Sequence, residues 1–369
     1  MNVAYAIWFE NLNSPILRGQ VFDVLKEINK MYPKDEIYLF AFQPFYTILT
    51  KYKEFRKTIQ YLKTNKIHLV IIPCLTVPWF NFFNAKWYVI PLVFLQSFFA
   101  LIVLIFFIKI EILHCRSYHA MLAAVVLKKM KKKLKIIFDP RSPFPEENIT
   151  AGEWTEYSLT YRIWKKLEKI YLDKSNITIA IVNTYIKHFK KISVQANFRL
   201  VPNNVDIAQF KYDDEFRFKF RKEKGIINDI IFCYCGSLPS HWNDPEVYAK
   251  FLIKFRESGI KHSFLFITPH IGNLRKTFNQ FNICEKEYFA ISSIFSDIPK
   301  YLSIADFGLN LMKNQDIRMS IKTSEYLAMG LPIIVNSKVL GAKEIVEQYG
   351  CLLYTSPSPR DLSTSRMPS

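Results

Sequence analysis

What most constrains this chain is a recurrence. Short apolar runs return along its whole length, with helix-forming sequence between them. "MNVAYAIWF", "DEIYLFAF", "KIHLVIIPCL", "IEILHCRSY", "LKIIFDPRS" and "ITIAIVNT" read as strands in the first half, and "FRLVPNNVD" closes that half. "DIIFCYCGSL", "HSFLFITPH", "EYFAISSI" and "ADFGLNLM" repeat the style in the second. "SPILRGQVFDVLKEINKMY", with Ser14 at its cap, "HAMLAAVVLKKMKKK", "YSLTYRIWKKLEKIYLDKS" and "PEVYAKFLIKFRES" read as helices. Alternation on both sides of residue 205 implies two α/β domains with parallel sheets. Ligands of such sheets bind beyond the C-terminal ends of the strands. The polar clusters "HCRSYH", "FDPRSPFPEE", "VPNNVD" and "CGSLPSHW" fall at those ends. Each alone is ordinary loop chemistry; together, at one edge of two domains, they imply a cleft between them.

One joint is legible residue by residue. In "SIKTSEYLAMGLPIIV", residues 320–335, Ser320 is an N-cap candidate and "SEYLAM" favours helix. Gly330 suits the left-handed position that ends helices, Pro332 prevents resumption, and "PIIV" reads as a buried strand. A helix N-terminus suits an anion such as a diphosphate, and Glu325 nearby can accept from a ribose diol. The plainer alternative makes Glu325 a surface residue.

The chain has 369 residues, half of them hydrophobic, with 32 Phe and 20 Tyr, so it holds a sizeable core and is not a disordered protein. A formal net charge of +18 points to an acidic partner: nucleic acid, anionic lipid or a sugar nucleotide. The aromatics fall at core periodicities without a basic–aromatic stacking module, which argues against nucleic acid. All ten glycines are isolated, so neither a G-x-G dinucleotide fingerprint nor a phosphate-binding P-loop is present. The six cysteines form no C-x-x-C pair, and a reducing compartment fits them. The N-terminal residues lack the pattern of a secretion signal. From Tyr354 onward "YTSPSPRDLSTSRMPS" loses all periodicity, and we read 354–369 as a non-native, disordered tail. Without it the charge falls only to +17, so the basic character belongs to the body of the chain.

Between Lys86 and Lys109 lie 22 residues without a charge, "WYVIPLVFLQSFFALIVLIFFI". They are long enough to span a bilayer. A single crossing would, however, separate "KIHLVIIPCL" from "IEILHCRSY", which read as strands of one sheet. The stretch is therefore expected to be a crossover helix whose outer face is too apolar for water. With the lysine run "KKMKKKLK", 128–135, it forms a surface suited to an anionic membrane.

Over roughly residues 1–353 the sequence resembles the retaining glycosyltransferases of family four, which have the GT-B fold of two facing Rossmann-like domains. "SIKTSEYLAMGLPIIVNSKVLGAKEIVE" resembles that family's donor-site signature, and "VPNNVDIAQF" its domain-joining motif. "FDPRSPFPEE" and "HCRSYHA" resemble a bacterial surface-polysaccharide branch. The resemblance implies an acceptor-side domain over 1–205 and a donor domain over 206–353. It implies transfer of a sugar, with retention and without a metal or cofactor, from a nucleoside-diphosphate sugar to a glycan or lipid-linked acceptor. The place would be the cytoplasmic face of a membrane. Donor-binding residues would be Gly236, Ser237, Arg318, Ser320, Lys322 and Glu325. The acceptor would meet Ser14, Gln20, Arg116, Glu146 and Glu147. His119, Asp139 and Arg141 are the catalytic candidates, with His119 or Asp139 orienting the acceptor. Alternatively His119 only caps its helix and Asp139–Arg141 is a salt-bridged turn.

Three features depart from the family pattern. Ile317 stands where most members carry a first Glu, with Asp316 and Arg318 as neighbouring candidates. The diphosphate-neutralising Arg and Lys are missing from "CGSLPSHWND", leaving Lys322 and Arg318 as replacements. The helix that usually crosses back at the C-terminus has no counterpart. These departures support a competing reading, a membrane-associated scaffold with impaired catalysis.

Overall fold

The computed structural model describes residues 1–75, 86–240, 243–314, 317–349 and 353–355. The chain divides into two compact units, 1–202 and 203–369. Unit one is built on β1 (Asn2–Trp8), β2 (Glu36–Pro44), β3 (Ile67–Cys74), β4 (Ile112–Arg116), β5 (Lys135–Asp139), β6 (Ile177–Ala180) and β7 (Phe198–Leu200). Its sheet has the order β3-β2-β1-β4-β5-β6-β7, with every pairing parallel. Unit two holds β8 (Ile230–Cys235), β9 (His262–Ile267), β10 (Tyr288–Ile291), β11 (Phe307–Asn310), β12 (Ile333–Asn336) and β13 (Leu353–Thr355). Its order is β10-β9-β8-β11-β12-β13, again all parallel. Both are doubly wound sheets: the order reverses beside β1 in unit one and beside β8 in unit two, and ligands favour such switch points.

Central strands such as β2 and β8 are buried almost throughout, as strands covered by helices on both faces must be. In unit two one core cluster packs on each face of the sheet. Cys233 and Cys235 lie in one and Phe232 and Tyr234 in the other, so the two cysteines share a face, as their alternation predicts.

The 320–335 joint forms as expected in its backbone. A helix spans Ile321–Ala328, Gly330 takes φ +68°, and β12 follows. Two caps differ. Ser320 and Ser14 occupy N-cap positions, but neither hydroxyl bonds the first turn. The helix over Pro15–Leu17 is only three residues long and passes at once into a π-helical turn, Arg18–Phe22. The 20-residue helix Phe45–Thr64 between β2 and β3 has no counterpart in the sequence reading. The tail boundary at Tyr354 also shifts: Tyr354 and Thr355 pair with Val335 and Asn336 as part of β13, and the tail from 356 lies outside the described residues.

The uncharged stretch is the crossover between β3 and β4, which share one sheet. Its helix Ile90–Phe107 buries a single ridge, Val93, Ser97, Leu101 and Ile105, at four-residue spacing. Leu95, Phe99, Val103, Phe106 and Phe107 remain exposed. Phe98 is half-buried and stacks on Phe94, with ring centroids 5.6 Å apart. The lysine run is partly consumed by the fold. Lys131 Nζ donates to Ile110 O at 2.8 Å and Ile105 O at 3.4 Å, and Lys128 Nζ donates to Leu134 O at 2.9 Å. Lys129, Lys132, Lys133 and Lys135 are exposed.

Candidate functional site

In unit two the polar residues collect where β8 and β11 end. Glycine is required at 236: φ is +142°, and a Cβ there would stand 3.2 Å from Tyr234 Oη and 3.6 Å from Lys322 Nζ. Ser237 follows, its carbonyl accepting from Tyr234 Oη at 2.8 Å. Lys322 and Glu325 lie one turn apart on the helix Ile321–Ala328, both almost buried. Lys322 Nζ sits 4.2 Å from the Tyr234 ring centroid and donates to Asn243 Oδ1 at 3.2 Å. Both partners are neutral, and among the described residues no carboxylate lies within 4.0 Å of this ammonium. Burial pushes Lys322 down to about 8, against the pull of Cys235 and Glu325. Burial pushes the Glu325 carboxyl up to about 7, and Lys322 opposes that rise.

No hydrogen-bond donor among the described residues reaches the Glu325 carboxylate. A buried cation on neutral partners, beside a carboxylate with open acceptor sites, is suited to a ligand carrying both an anion and hydroxyls. Arg318 is half-buried just before the helix, whereas Asp316 lies outside the described residues. Tyr234 and Asn243 escaped the sequence reading: both lie in stretches it quotes, but nothing local marks either as a partner of Lys322.

In unit one the structure brings together four of the predicted residues. Gln20 Oε1 accepts from Arg116 Nη2 and from Arg141 Nη2, each at 2.8 Å. Asp139 lies behind them, 3.7 Å from Arg141 Nη1 and 3.9 Å from Arg116 Nη1. Burial acts to raise the Asp139 carboxyl, but Arg141, then His114 and Arg116, outweigh it and hold the group well below the usual carboxylate range. Asp139–Arg141 is thus a salt-bridged turn within a larger cluster.

Sequence reasoning missed three members. Glu10 Oε1 accepts from Arg116 Nε at 2.7 Å, Tyr5 Oη donates to Asp139 Oδ2 at 3.4 Å, and His114 Nε2 lies 3.5 Å from the same oxygen. A further signal is in the backbone. Phe9, Ser117 and Arg141 follow the ends of β1, β4 and β5, which are neighbours in the sheet, and all have positive φ: +55°, +83° and +62°. Such conformations cost non-glycine residues roughly 1–3 kcal/mol each and gather at functional sites.

The remaining predicted residues lie elsewhere. His119 is buried between Phe144 and Trp164, with ring centroids 5.3 and 5.1 Å away, and burial pushes its imidazole down to about 3. It is a neutral ring in an aromatic core at physiological pH. Glu147 accepts from Ser142 Oγ, and Ser14 is half-buried on its loop. Glu146 belongs to a separate ion-pair group with Lys165, Glu168 and His188. Ligand atoms of Glu146, Glu168 and His188 lie within 4.8 Å of one another. Lys165 Nζ donates to Glu146 at 2.7 Å and also to Glu168, so both carboxylates already engage an ammonium.

No family model and no curated protein matches this sequence. Solved structures match it over almost its whole length. HepE from Anabaena, in complex with UDP and glucose, is 12% identical with a TM-score of 0.63, covering 96% of this chain and 85% of its own. Sucrose-phosphate synthase from Thermosynechococcus elongatus is 11% identical with a TM-score of 0.68, covering 98% and 88%. The UDP-GlcNAc 2-epimerase from Neisseria meningitidis, bound to UDP-GlcNAc, is 11% identical with a TM-score of 0.57, covering 98% and 89%. The fold is therefore GT-B, with two Rossmann-like units. A transferase and an epimerase share it, so the fold does not by itself choose the reaction.

Proposed function

We propose that this chain is a glycosyltransferase that takes a sugar from a nucleoside-diphosphate sugar held by unit two and passes it, with retention, to a glycan or lipid-linked acceptor held by unit one. One observation carries the reading: Lys322, a nearly buried cation resting on Tyr234 and Asn243, beside Glu325 with its acceptor sites open. Lys322 would neutralise the diphosphate and Glu325 would accept from the ribose hydroxyls. The barrier to transfer lies in a departing diphosphate and an oxocarbenium-like sugar, and positioned charge lowers it without a metal. The UDP, UDP–glucose and UDP-GlcNAc ligands of similar folds support a nucleotide-sugar donor.

A thermal-shift panel of UDP, GDP, ADP and CMP tests the donor, followed by assay of sugar release or transfer from the matching sugar nucleotide. Glu325→Gln is expected to weaken nucleotide binding by about 1–3 kcal/mol; unchanged affinity and turnover would leave Glu325 a buried residue without a part in binding. The competing scaffold reading draws on Ile317 at the first Glu position and predicts nucleotide binding without turnover.

The membrane reading rests on the exposed face of helix Ile90–Phe107 and the exposed lysines of 128–135. Burial of the apolar face in lipid does not depend on salt, whereas lysine attraction to anionic headgroups is screened. High salt is therefore expected to release only part of the protein from anionic liposomes. Changing Phe99, Val103 and Phe106 to Ser is expected to release the remainder. A wild-type protein that floats free of such liposomes at low salt would overturn the membrane assignment and leave a soluble acceptor.

A further inference from the structure

We propose that Glu10 binds the acceptor's sugar hydroxyls, and that unit one is built for a neutral polyol rather than a phosphate group. The proposal rests on the reading of unit one as the acceptor side. Glu10 follows the left-handed Phe9 at the end of β1, where the sheet order reverses. Its position is fixed from three directions. Phe9 N donates to Phe42 O at 2.9 Å, the buried Gln43 Nε2 donates to Glu10 O at 2.9 Å, and Arg116 Nε donates to Glu10 Oε1 at 2.7 Å.

The second carboxylate oxygen, Oε2, has no hydrogen-bond donor among the described residues. The Glu10 side chain is 29% exposed, whereas its partner Arg116 is 5% exposed. The carboxylate is thus anchored on its inner oxygen and open on its outer one. That suits it to accept from a ligand hydroxyl without reorganising. Arg141, 25% exposed and tied to the same cluster through Gln20, lies on the other side of Asp139.

The charges decide the ligand class. Two guanidiniums, Arg116 and Arg141, face two carboxylates, Glu10 and Asp139, so these four groups sum to zero. A phosphate placed here would meet both carboxylates, whereas a sugar hydroxyl donates to one group and accepts from another at no cost in charge.

Saturation-transfer NMR on the full chain tests this with the methyl β-glycosides of glucose, galactose and N-acetylglucosamine, and with glucose 1-phosphate. At least one glycoside is expected to show ring-proton contact with the wild type, and glucose 1-phosphate no more than its neutral counterpart. Glu10→Gln, which still accepts from Arg116, is expected to lower the signal at least fivefold while Glu325→Gln leaves it in place. If Glu10→Gln does not fold, Glu10→Asp keeps the negative charge near Arg116 but draws the whole carboxylate back by one methylene, and the same loss is expected. Absence of glycoside contact in the wild type, an equal signal in the Glu10 variant, or tighter binding of the phosphate overturns the proposal. Nucleoside diphosphate titrated in parallel reads unit two separately, so failure of the donor assignment is not confused with failure of this one.

Discussion

Lys322→Met is expected to melt at a higher temperature than the wild type without ligand at pH 7.5, and to bind nucleoside diphosphate more weakly by about 10- to 150-fold. The stability half follows from burial. Lys322 has moved from 10.5 to about 8, a displacement equivalent to on the order of 3 kcal/mol against the charged form. Methionine keeps the length and removes the charge. It also forfeits the contact with the Tyr234 ring, worth about 0.5–2 kcal/mol, so the net gain is about 1–2 kcal/mol. At about 2–4 °C per kcal/mol, differential scanning fluorimetry resolves it. The binding half follows from loss of a charge-assisted contact to the diphosphate, about 1.5–3 kcal/mol. A variant that melts lower and binds as well as the wild type would make Lys322 a structural residue.

The second large effect is a minimum in ligand-free stability between pH 7 and 8. Glu325 rises from 4.5 to about 7 on folding. Between those values the folded protein holds a proton that the unfolded chain has lost, so stability falls as pH rises through the window. Lys322 falls from 10.5 to about 8. Between those values the unfolded chain holds the extra proton, so stability rises with pH. Each limb is worth on the order of 3 kcal/mol. Urea midpoints measured from pH 5 to 10 check this. In Lys322→Met the alkaline limb should vanish while the acid limb remains, because Glu325 then loses the cation that opposes its rise. A wild-type profile that is flat across pH 5–10 would exclude the buried pair.

The strands and the 320–335 joint could be read from sequence because each is a local matter. β-branched runs, a left-handed glycine and a proline act within a few residues, and burial of both sheet faces makes the strands continuous apolar runs. The helix Phe45–Thr64 was missed for a local reason too: β-branched residues and many lysines give it no clean apolar stripe. The two sites were legible only in part. Arg116, Asp139 and Arg141 announced themselves as polar residues at strand ends, yet the convergence of the two arginines on the Gln20 amide oxygen depends on strand order. Glu10 was hidden because "FENLN" looks like any turn. Only the sheet's reversal beside β1 brings it to Arg116, 106 positions away in the chain. His119 shows the opposite limit. Its neighbours in sequence suggest a site, whereas Phe144 and Trp164, distant in sequence, enclose it in the core.

The segment "VPNNVD" has a mechanical consequence. Asn203, the first residue of unit two, is stitched to the signature helix at two points. Its side-chain amide donates to Met319 O at 3.3 Å, and its carbonyl accepts from Ser324 Oγ at 3.2 Å. Met319 immediately precedes the N-cap of that helix, and Ser324 lies on it between Lys322 and Glu325. Both hydrogen bonds end on the turn that carries the two charged side chains. The segment is thus clamped to the start of the helix that carries Lys322 and Glu325 rather than running past it as slack cord, so a change of backbone path at Asn203 would be felt at that turn.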